Sequence, residues 1–274
     1  MTSSSTPRRT RRPASSSPNE SPLRLGFAVK VLGAEDLKSN DARRWQQSPH
    51  LRVSLECLQR IFDYLARQNI RMYRMSSDIA PYVTHPKMPQ FHRQIRECAR
   101  ELRALGRRAR EVDLRLSFHP SQFIVLNSPD PVLVQKSIAD LAAQTEMLDR
   151  MELGPEAVVV VHAGGTYGDV KAGRERWIAT HRKLPAAIRR RLVLENDDAR
   201  YSAGDVLKIH RATGVPLIFD HQHFWCHNPE QLELLPTVKK FLHTWPHDVR
   251  PKLHFSSPRT EMRALQRKDR KAGK

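Results

Sequence analysis

The stretch VVVVHAGG at residues 158–165 decides the fold, because four consecutive valines run directly into His162. A short run that is apolar at every position is typical of a strand buried on both faces, as the strands of a parallel sheet are. Four other runs have the same form, and each also ends in a side chain that can bind a metal ion. These runs are LRLSFHP (114–120, with His119), RLVLEND (191–197, with Glu195), PLIFDHQH (216–223, with Asp220 and His223) and PKLHFSSP (251–258, with His254).

Strands and helices are predicted to alternate along the chain. The βαβα order with short connections predicts an α/β fold, specifically a TIM-type (β/α) barrel. The predicted strands span 25–31, 70–76, 114–118, 157–161, 192–195, 216–219 and 252–255. The predicted helices span 51–68, 90–110, 131–152, 172–190, 202–214 and 229–243. No strand pattern follows Pro258, so we expect a barrel that lacks the eighth strand, either open or shortened at its C-terminal end.

The length of 274 residues suits a single barrel, which needs about 250 residues. We expect a disordered basic tail at 1–22, the barrel domain at 23–258 and a basic tail or helix at 259–274. No apolar run approaches the roughly 18 residues of a membrane helix, and no secretory signal is visible. The three cysteines have no CxxC spacing and are expected to be reduced. We therefore expect a cytoplasmic monomer that binds no membrane and that associates with the nucleoid if it is bacterial.

The charge indicates a polyanionic partner. The formal net charge is +18 and the sequence pI is near 10.4, a balance that favours nucleic acid as the partner. The tails at 1–24 and 259–274 contribute +4 and +5, and +9 stays on residues 25–258. The alternative is that the excess charge serves only solubility.

Side chains at the carboxyl ends of parallel strands meet at one end of a barrel, where barrel enzymes hold their active sites. A single histidine at a strand end is more often a structural group, but five such ends with histidines and carboxylates favour a metal cluster. Such a cluster suits phosphodiester hydrolysis, because it activates water and neutralises charge on phosphoryl oxygens. Glu195 is interpreted as a bridging ligand, and the alternative role of general base stays open. His221 and His227 are interpreted as lying outside the cluster.

Six segments, in order along the chain, carry a resemblance to the UV damage endonuclease family. They are MYRMSSDIAPYVTHP (72–86), RLSFHPSQFIVLNSPDP (115–131), VVVVHAGGTYGD (158–169), VLENDD (193–198), PLIFDHQHFWCHNP (216–229) and PKLHFSSPRTE (251–261). The resemblance implies a (β/α) barrel that binds two or three divalent ions, usually assigned as manganese. It also implies an enzyme that nicks damaged double-stranded DNA on the 5′ side of pyrimidine photoproducts and some other lesions.

The resemblance also implies which residues form the site. It implies six metal ligands, here named the ligand cluster: His119, His162, Glu195, Asp220, His223 and His254. Lys252 and His85 match further active-site positions, and the lysine would be a ligand if it is carboxylated, as it can be in the family. Gln122 and Phe123 match a pair that probes the damaged bases. Most family members have tyrosine where Phe123 stands, so a hydroxyl contact is absent here.

Other candidate DNA contacts follow from residue chemistry, each with an alternative. Tyr82 either stacks on a base or packs within its loop. Ser256, Ser257 and Arg259 offer hydroxyls and a guanidinium to phosphates, or else cap a helix.

The charge and the resemblance together predict a metal-dependent DNA repair endonuclease. One alternative is a damage-binding protein with impaired catalysis, because family members continue into a last strand bearing a glutamate ligand that this sequence does not include. A second alternative is a sugar isomerase of the xylose-isomerase-like barrel class, which uses similar strand-end ligands. The net charge of +18 argues against the isomerase.

Overall fold

The computed structural model describes residues 23–34 and 36–256. The predicted tails, and the candidate contacts Ser257 and Arg259, lie outside these residues. The described part contains seven strands: β1 Gly26–Ala28, β2 Met72–Arg74, β3 Arg115–Phe118, β4 Val158–Val161, β5 Leu192–Glu195, β6 Leu217–Asp220 and β7 Leu253–His254. Its α-helices are α1 Leu51–Arg67, α2 Gln94–Glu97, α3 Ala99–Glu111, α4 Pro131–Arg150, α5 Val170–Lys183, α6 Ala186–Arg189, α7 Ala203–Thr213, α8 His221–Cys226 and α9 Leu234–Leu242.

All seven strands run parallel, and each pairs with the next strand along the chain in the order β1-β2-β3-β4-β5-β6-β7. The sheet curves into a barrel wall, since groups near β3 and β7 meet across its inside. Nζ of Lys252 donates to Oγ of Ser117 at 2.7 Å, and the Arg115 guanidinium donates to the carbonyl oxygen of Arg250 at 2.8 Å. A cavity of about 640 Å³ is lined by residues of both β1 and β7. The predicted TIM-type barrel architecture is confirmed, with seven strands in the part of the chain that is described.

The inside of the barrel changes from apolar to polar toward the carboxyl ends of the strands. Successive side chains alternate between the two faces of a strand, and the register pairs Val160 with Val193 on the inner face. The inner apolar residues pack with Trp245. These inner residues are Val158, Val160, Val193 and Ile218. Two residues further along β4 and β5, the same alternation reaches His162 and Glu195, so the register of the sheet aims both side chains into the barrel mouth.

Three predicted helix boundaries rest on capping groups that the structure contains. The Asp130 carboxylate accepts a backbone N–H of the first turn of α4, and Pro131 is the first residue of that helix. Ser202 caps the start of α7 in the same way. Gly214 ends α7 with a φ of 74°, a left-handed conformation that glycine adopts without a Cβ clash. These boundaries are as the sequence predicts.

Three helix predictions are wrong in extent. The helix expected over 172–190 is two helices, because Pro185 disfavours helical geometry at Leu184, whose ψ is 144°. The helix expected over 90–110 is divided into α2 and α3, and the buried amide of Gln94 ties α2 to the start of α1. The helix expected from 229 begins at 234, because the Asn228 side chain closes the preceding loop through both polar groups of Leu232.

Cys57, Cys98 and Cys226 are free cysteines, of which Cys57 and Cys98 are buried and Cys226 is exposed. Among the helices of the described residues, none is long and apolar enough to cross a membrane.

Candidate metal centre

The ligand cluster is assembled by the ends of five consecutive strands. His119 and His162 directly follow β3 and β4, while Glu195, Asp220 and His254 are the last residues of β5, β6 and β7. The sixth member, His223, lies in the short helix that follows β6. Parallel strands in register present their ends on one rim, so the six side chains face a common volume at the mouth of the barrel.

Glu195 stands at the centre of this volume and is 1% exposed. One carboxylate oxygen, Oε2, lies 2.9 Å from Nε2 of His119, and the other, Oε1, lies 2.7 Å from Nδ1 of His254. The nearest ring nitrogens of His223 and His162 are 3.8 and 3.9 Å from the carboxylate. Both carboxylate oxygens of Glu195 are thus shared among histidines from different strands.

The electrostatics of the site favour an ionised Glu195 carboxylate with neutral histidine rings beside it. Burial would raise the pKa of Glu195, but hydrogen bonds with His119 and His254 outweigh it and hold the pKa well below its usual range. Burial lowers the pKa of His162 and of His254. A neutral imidazole has a lone pair to give a cation, and an ionised carboxylate supplies the compensating charge.

Asp220 and His223 are joined through the local backbone. Asp220 is the N-cap of α8, and its Oδ1 accepts the backbone N–H of His223 at 2.8 Å. Nδ1 of His223 lies 2.9 Å from the carbonyl oxygen of Asn196. Donation to that carbonyl leaves Nε2 of His223 as the nitrogen with a free lone pair. Burial raises the pKa of Asp220.

The donor set fits a divalent metal cluster. Two overlapping groups each have ligand atoms within 4.8 Å of one another, namely His119 with His162 and Glu195, and Glu195 with Asp220 and His223. Glu195 belongs to both groups, as a carboxylate that bridges two ions would. Imidazole nitrogens with carboxylate oxygens suit manganese, iron and zinc. Nδ1 of His162 is also buried without a hydrogen-bond partner.

Lys252 lies one inner-face position below His254. It is buried, and burial lowers the pKa of its amine to about 7. Its hydrogen-bond partner is the hydroxyl of Ser117, which is likewise one inner-face position below His119. The sequence did not indicate Ser117, because a serine inside a strand carries no functional signal until the strand register is known.

His85 and Tyr82 do not line the cavity that contains the ligand cluster, and an active-site role for His85 stays a prediction. Both lie in the long loop after β2 and line a separate cavity of about 590 Å³ on the other side of the 119–124 loop. Local contacts hold His85 there, since its Nδ1 accepts the backbone N–H of Lys87 at 3.3 Å. The ring of Tyr82 packs 5.2 Å from that of Phe91, which favours packing within the loop over base stacking.

Gln122 and Phe123 project from the loop after β3 and border the ligand cluster. A cavity of about 520 Å³ is lined by both of them together with His119 and His162. Phe123 is 78% exposed, although a phenyl ring gains by burial. Ser256, on the opposite rim after β7, is exposed as well. These three side chains are therefore open to a large ligand at the barrel mouth.

Asn196 is a second residue whose role the sequence did not indicate. Its Nδ2 donates to the carbonyl oxygen of Asp220 at 3.0 Å, and its Oδ1 accepts the Asp220 backbone N–H at 2.8 Å. This pair of bonds locks the end of β5 to the end of β6. The only sequence signal was its position directly after Glu195. His221 lies outside the cluster as predicted, with its Nε2 accepting from Nε1 of Trp225 at 2.8 Å.

Comparison with known proteins gives a consistent result. A family model described as UV-endonuclease UvdE matches residues 39–272. A UV DNA damage endonuclease of Bacillus mycoides (strain KBAB4) is 37% identical over 212 residues, which cover 76% of this chain and 65% of that protein. The UV DNA damage endonuclease of Bacillus velezensis (strain FZB42) is 34% identical over 204 residues, or 74% of this chain and 63% of that protein. The chain thus spans just under two thirds of the length of these relatives.

Solved structures extend the comparison to the fold. The crystal structure of SacUVDE is similar at a TM-score of 0.79 and 29% identity, over 86% of this chain and 81% of that one. A D-psicose 3-epimerase of Clostridium cellulolyticum H10 is similar at a TM-score of 0.51 and 16% identity, over 73% of this chain and 68% of that one. The epimerase shares the barrel, and its likeness carries no statement about activity.

Proposed function

The chain belongs to the UV-endonuclease UvdE family, and from that premise we propose that it is a metal-dependent DNA repair endonuclease. It would nick damaged double-stranded DNA on the 5′ side of UV photoproducts and related lesions. The observation that carries the proposal is the position of Glu195, a buried carboxylate lying between histidines from β3 and β7. A carboxylate with a purely structural role would not require the ring nitrogens of four histidines around it, as Glu195 has.

The proposed cofactor is a cluster of two or three divalent ions, with manganese as the metal. Its ligands would be the six residues of the ligand cluster, with Glu195 shared between ions. Bound ions of this kind activate water as a nucleophile and neutralise charge on the phosphoryl and leaving oxygens. The protein would contribute a fixed set of donors, because hydrogen bonds to the carbonyl oxygens of Pro120 and Asn196 orient His119 and His223.

We propose that Lys252, one inner-face position below His254, contributes to the metal site. With a pKa of about 7, its amine is partly neutral at neutral pH, and a neutral amine can form a carbamate with carbon dioxide and release a proton. The carbamate would add an oxygen donor to the cluster, as the resemblance to the family implies. Without that reaction the amine would still hold Ser117 through a hydrogen bond.

DNA recognition is proposed to depend on Gln122 and Phe123. An exposed phenyl ring beside the ligand cluster can enter a distorted base stack, and Gln122 can bond to base edges there. Ser256, Ser257 and Arg259 would contact phosphates. The positive charge of the chain would supply sequence-independent attraction to the duplex.

The deciding experiment uses a duplex oligonucleotide that contains one cyclobutane dimer and is labelled on the damaged strand. We expect the protein with Mn²⁺ to give one product cut on the 5′ side of the dimer, and none with EDTA. Binding without cleavage would support the damage-binding alternative. Failure both to bind and to cleave the damaged duplex would overturn the proposal.

A further inference from the structure

We propose that Asp197 is a positioning residue that orients His162 for metal binding, a role that rests on the metal cluster proposed above. Oδ2 of Asp197 lies 3.8 Å from Nδ1 of His162. The other ring nitrogen, Nε2, is the one nearest to Glu195, at 3.9 Å from Oε2. The imidazole of His162 therefore stands between two carboxylates, one at the centre of the cluster and one behind the ring.

Among the histidines of the cluster, His162 differs in what lies behind its ring. Nδ1 of His119 and Nδ1 of His223 each contact a backbone carbonyl oxygen, at 3.1 and 2.9 Å. Nδ1 of His162 is buried and has no hydrogen-bond partner. A neutral imidazole that binds a metal through Nε2 carries its proton on Nδ1, and that N–H requires an acceptor. The Asp197 carboxylate is placed to be that acceptor.

Backbone groups of its own loop hold the Asp197 carboxylate in position. Its Oδ1 accepts the backbone N–H groups of Ala199 and Arg200 at 2.9 and 2.8 Å. Its own backbone N–H donates to the carbonyl oxygen of Tyr201 at 2.9 Å. Because Oδ1 is engaged by the loop, Oδ2 is the oxygen left to face His162.

The present separation of 3.8 Å is longer than a hydrogen bond, which has a typical N···O distance of about 2.9 Å. Because the loop fixes Asp197 in place, the ring of His162 would move toward Oδ2 of Asp197 when its Nε2 binds an ion. A carboxylate behind a metal-bound histidine fixes the tautomer and makes the ring a stronger ligand. The tripeptide Glu195–Asn196–Asp197 would then supply a ligand and orient two others, since the Asn196 carbonyl oxygen orients His223.

The test compares Asp197→Asn with Asp198→Asn, which makes the same charge change at the adjacent, exposed residue. Mn²⁺ is titrated into each EDTA-treated and dialysed protein by isothermal calorimetry, without DNA. Loss of a carboxylate behind a metal-bound histidine weakens metal binding by about 10–100-fold. We expect a loss of that size at one site in Asp197→Asn, no change in Asp198→Asn, and partial recovery in Asp197→Glu. The visible spectrum of the Co²⁺-loaded protein should change only in Asp197→Asn.

Equal Mn²⁺ affinity and equal Co²⁺ spectra in the two asparagine variants would overturn the role of Asp197. A lowered melting temperature in Asp197→Asn, with no recovery of Mn²⁺ affinity in Asp197→Glu, would show a structural role and overturn it as well. A wild-type protein that binds no Mn²⁺ would instead overturn the proposed cluster itself. The two failures are therefore distinguishable.

Discussion

Lys252 and Ser117 form a hydrogen bond of 2.7 Å across the inside of the barrel, although three strands separate β3 from β7 in the sheet order. Each residue precedes a histidine of the ligand cluster by two positions, so the pair forms a polar layer directly below the candidate metal centre. Lys252 is only 4% exposed, and its burial is what lowers the pKa of the amine. Among the described residues, the hydroxyl of Ser117 is the one hydrogen-bond partner of this amine, so the bond should contribute to stability.

Replacement of Ser117 by alanine should lower the free energy of unfolding. The change leaves the buried amine of Lys252 without its acceptor, and such a loss costs about 1–3 kcal/mol. Urea denaturation of the metal-free protein measures the effect. The matched control is Ser256→Ala, which removes an exposed hydroxyl and should leave stability unchanged. Equal stability of the two variants would mean that water already satisfies the amine.

Replacement of Lys252 by methionine should separate stability from activity. Methionine has similar length and carries no charge, so the buried site loses its desolvation cost and the melting temperature should hold or rise. Cleavage of dimer-containing DNA should fall by about tenfold or more, because the variant loses either a carbamate ligand on Lys252 or the hydrogen bond by which Lys252 supports the site. A variant that cleaves at the wild-type rate would exclude Lys252 from the site, and a collapsed fold would show a structural role only.

Replacement of Phe123 by alanine should reduce discrimination between damaged and intact DNA. Stacking on a base contributes about 1–3 kcal/mol, and only a distorted stack admits the ring. The measurement is the ratio of Kd values for a dimer-containing and an undamaged duplex at fixed salt. Leu235→Ala, at an equally apolar and exposed position on α9, is the control. If Phe123→Ala weakens binding to both duplexes by the same factor, the ring has no role in recognising damage.

Asp41 should make stability depend on pH in the acid range. The hydrogen bond from Arg43 lowers the pKa of Asp41 to about 2 from 3.8, and this outweighs the effect of burial. A lowered pKa stabilises the fold fully above the unfolded value, and the contribution is lost as the pH falls from about 4 toward 2. Asp41→Asn should therefore cost about 1–2 kcal/mol at pH 7 and less as the pH approaches 3.

Urea midpoints of wild type and Asp41→Asn between pH 3 and pH 7 check that dependence on pH. Asp36→Asn, an exposed neighbour, should follow the wild type throughout. A difference between Asp41→Asn and wild type that stays constant over this range would contradict the assigned pKa.

The barrel fold and the convergence of the candidate ligands on one rim were predictable, because two local sequence patterns indicate them. Unbroken apolar runs such as 158–161 identify buried parallel strands, and the polar residue that ends each run must lie on the shared rim. The break between α5 and α6 also had a local sequence signal. Pro185 disfavours helical geometry at the residue before it, and this effect outweighs the helical pattern of the surrounding residues. The identity of strands, most helix caps and the meeting of the six side chains therefore follow from the sequence.

Other features depend on register and loop paths, which no local pattern specifies. The bonds between Asn196 and Asp220 join residues 24 positions apart, and they exist only because β5 and β6 are in register. His85 has the residue type of a ligand, but it lies in the long loop after β2, where it lines a separate cavity together with Tyr82. A motif alone could not separate His85 from the histidines at strand ends.

The central claim is that a metal cluster centred on Glu195 cleaves damaged DNA. The most direct measurement is nicking of UV-irradiated supercoiled plasmid by EDTA-treated protein as Mn²⁺ is added back, with wild type and Glu195→Gln in parallel. We predict that Mn²⁺ restores nicking of the irradiated plasmid only, and that Glu195→Gln stays inactive at every Mn²⁺ concentration while its melting temperature shows a folded protein. Full nicking by Glu195→Gln, or nicking by wild type that EDTA does not abolish, would contradict the account.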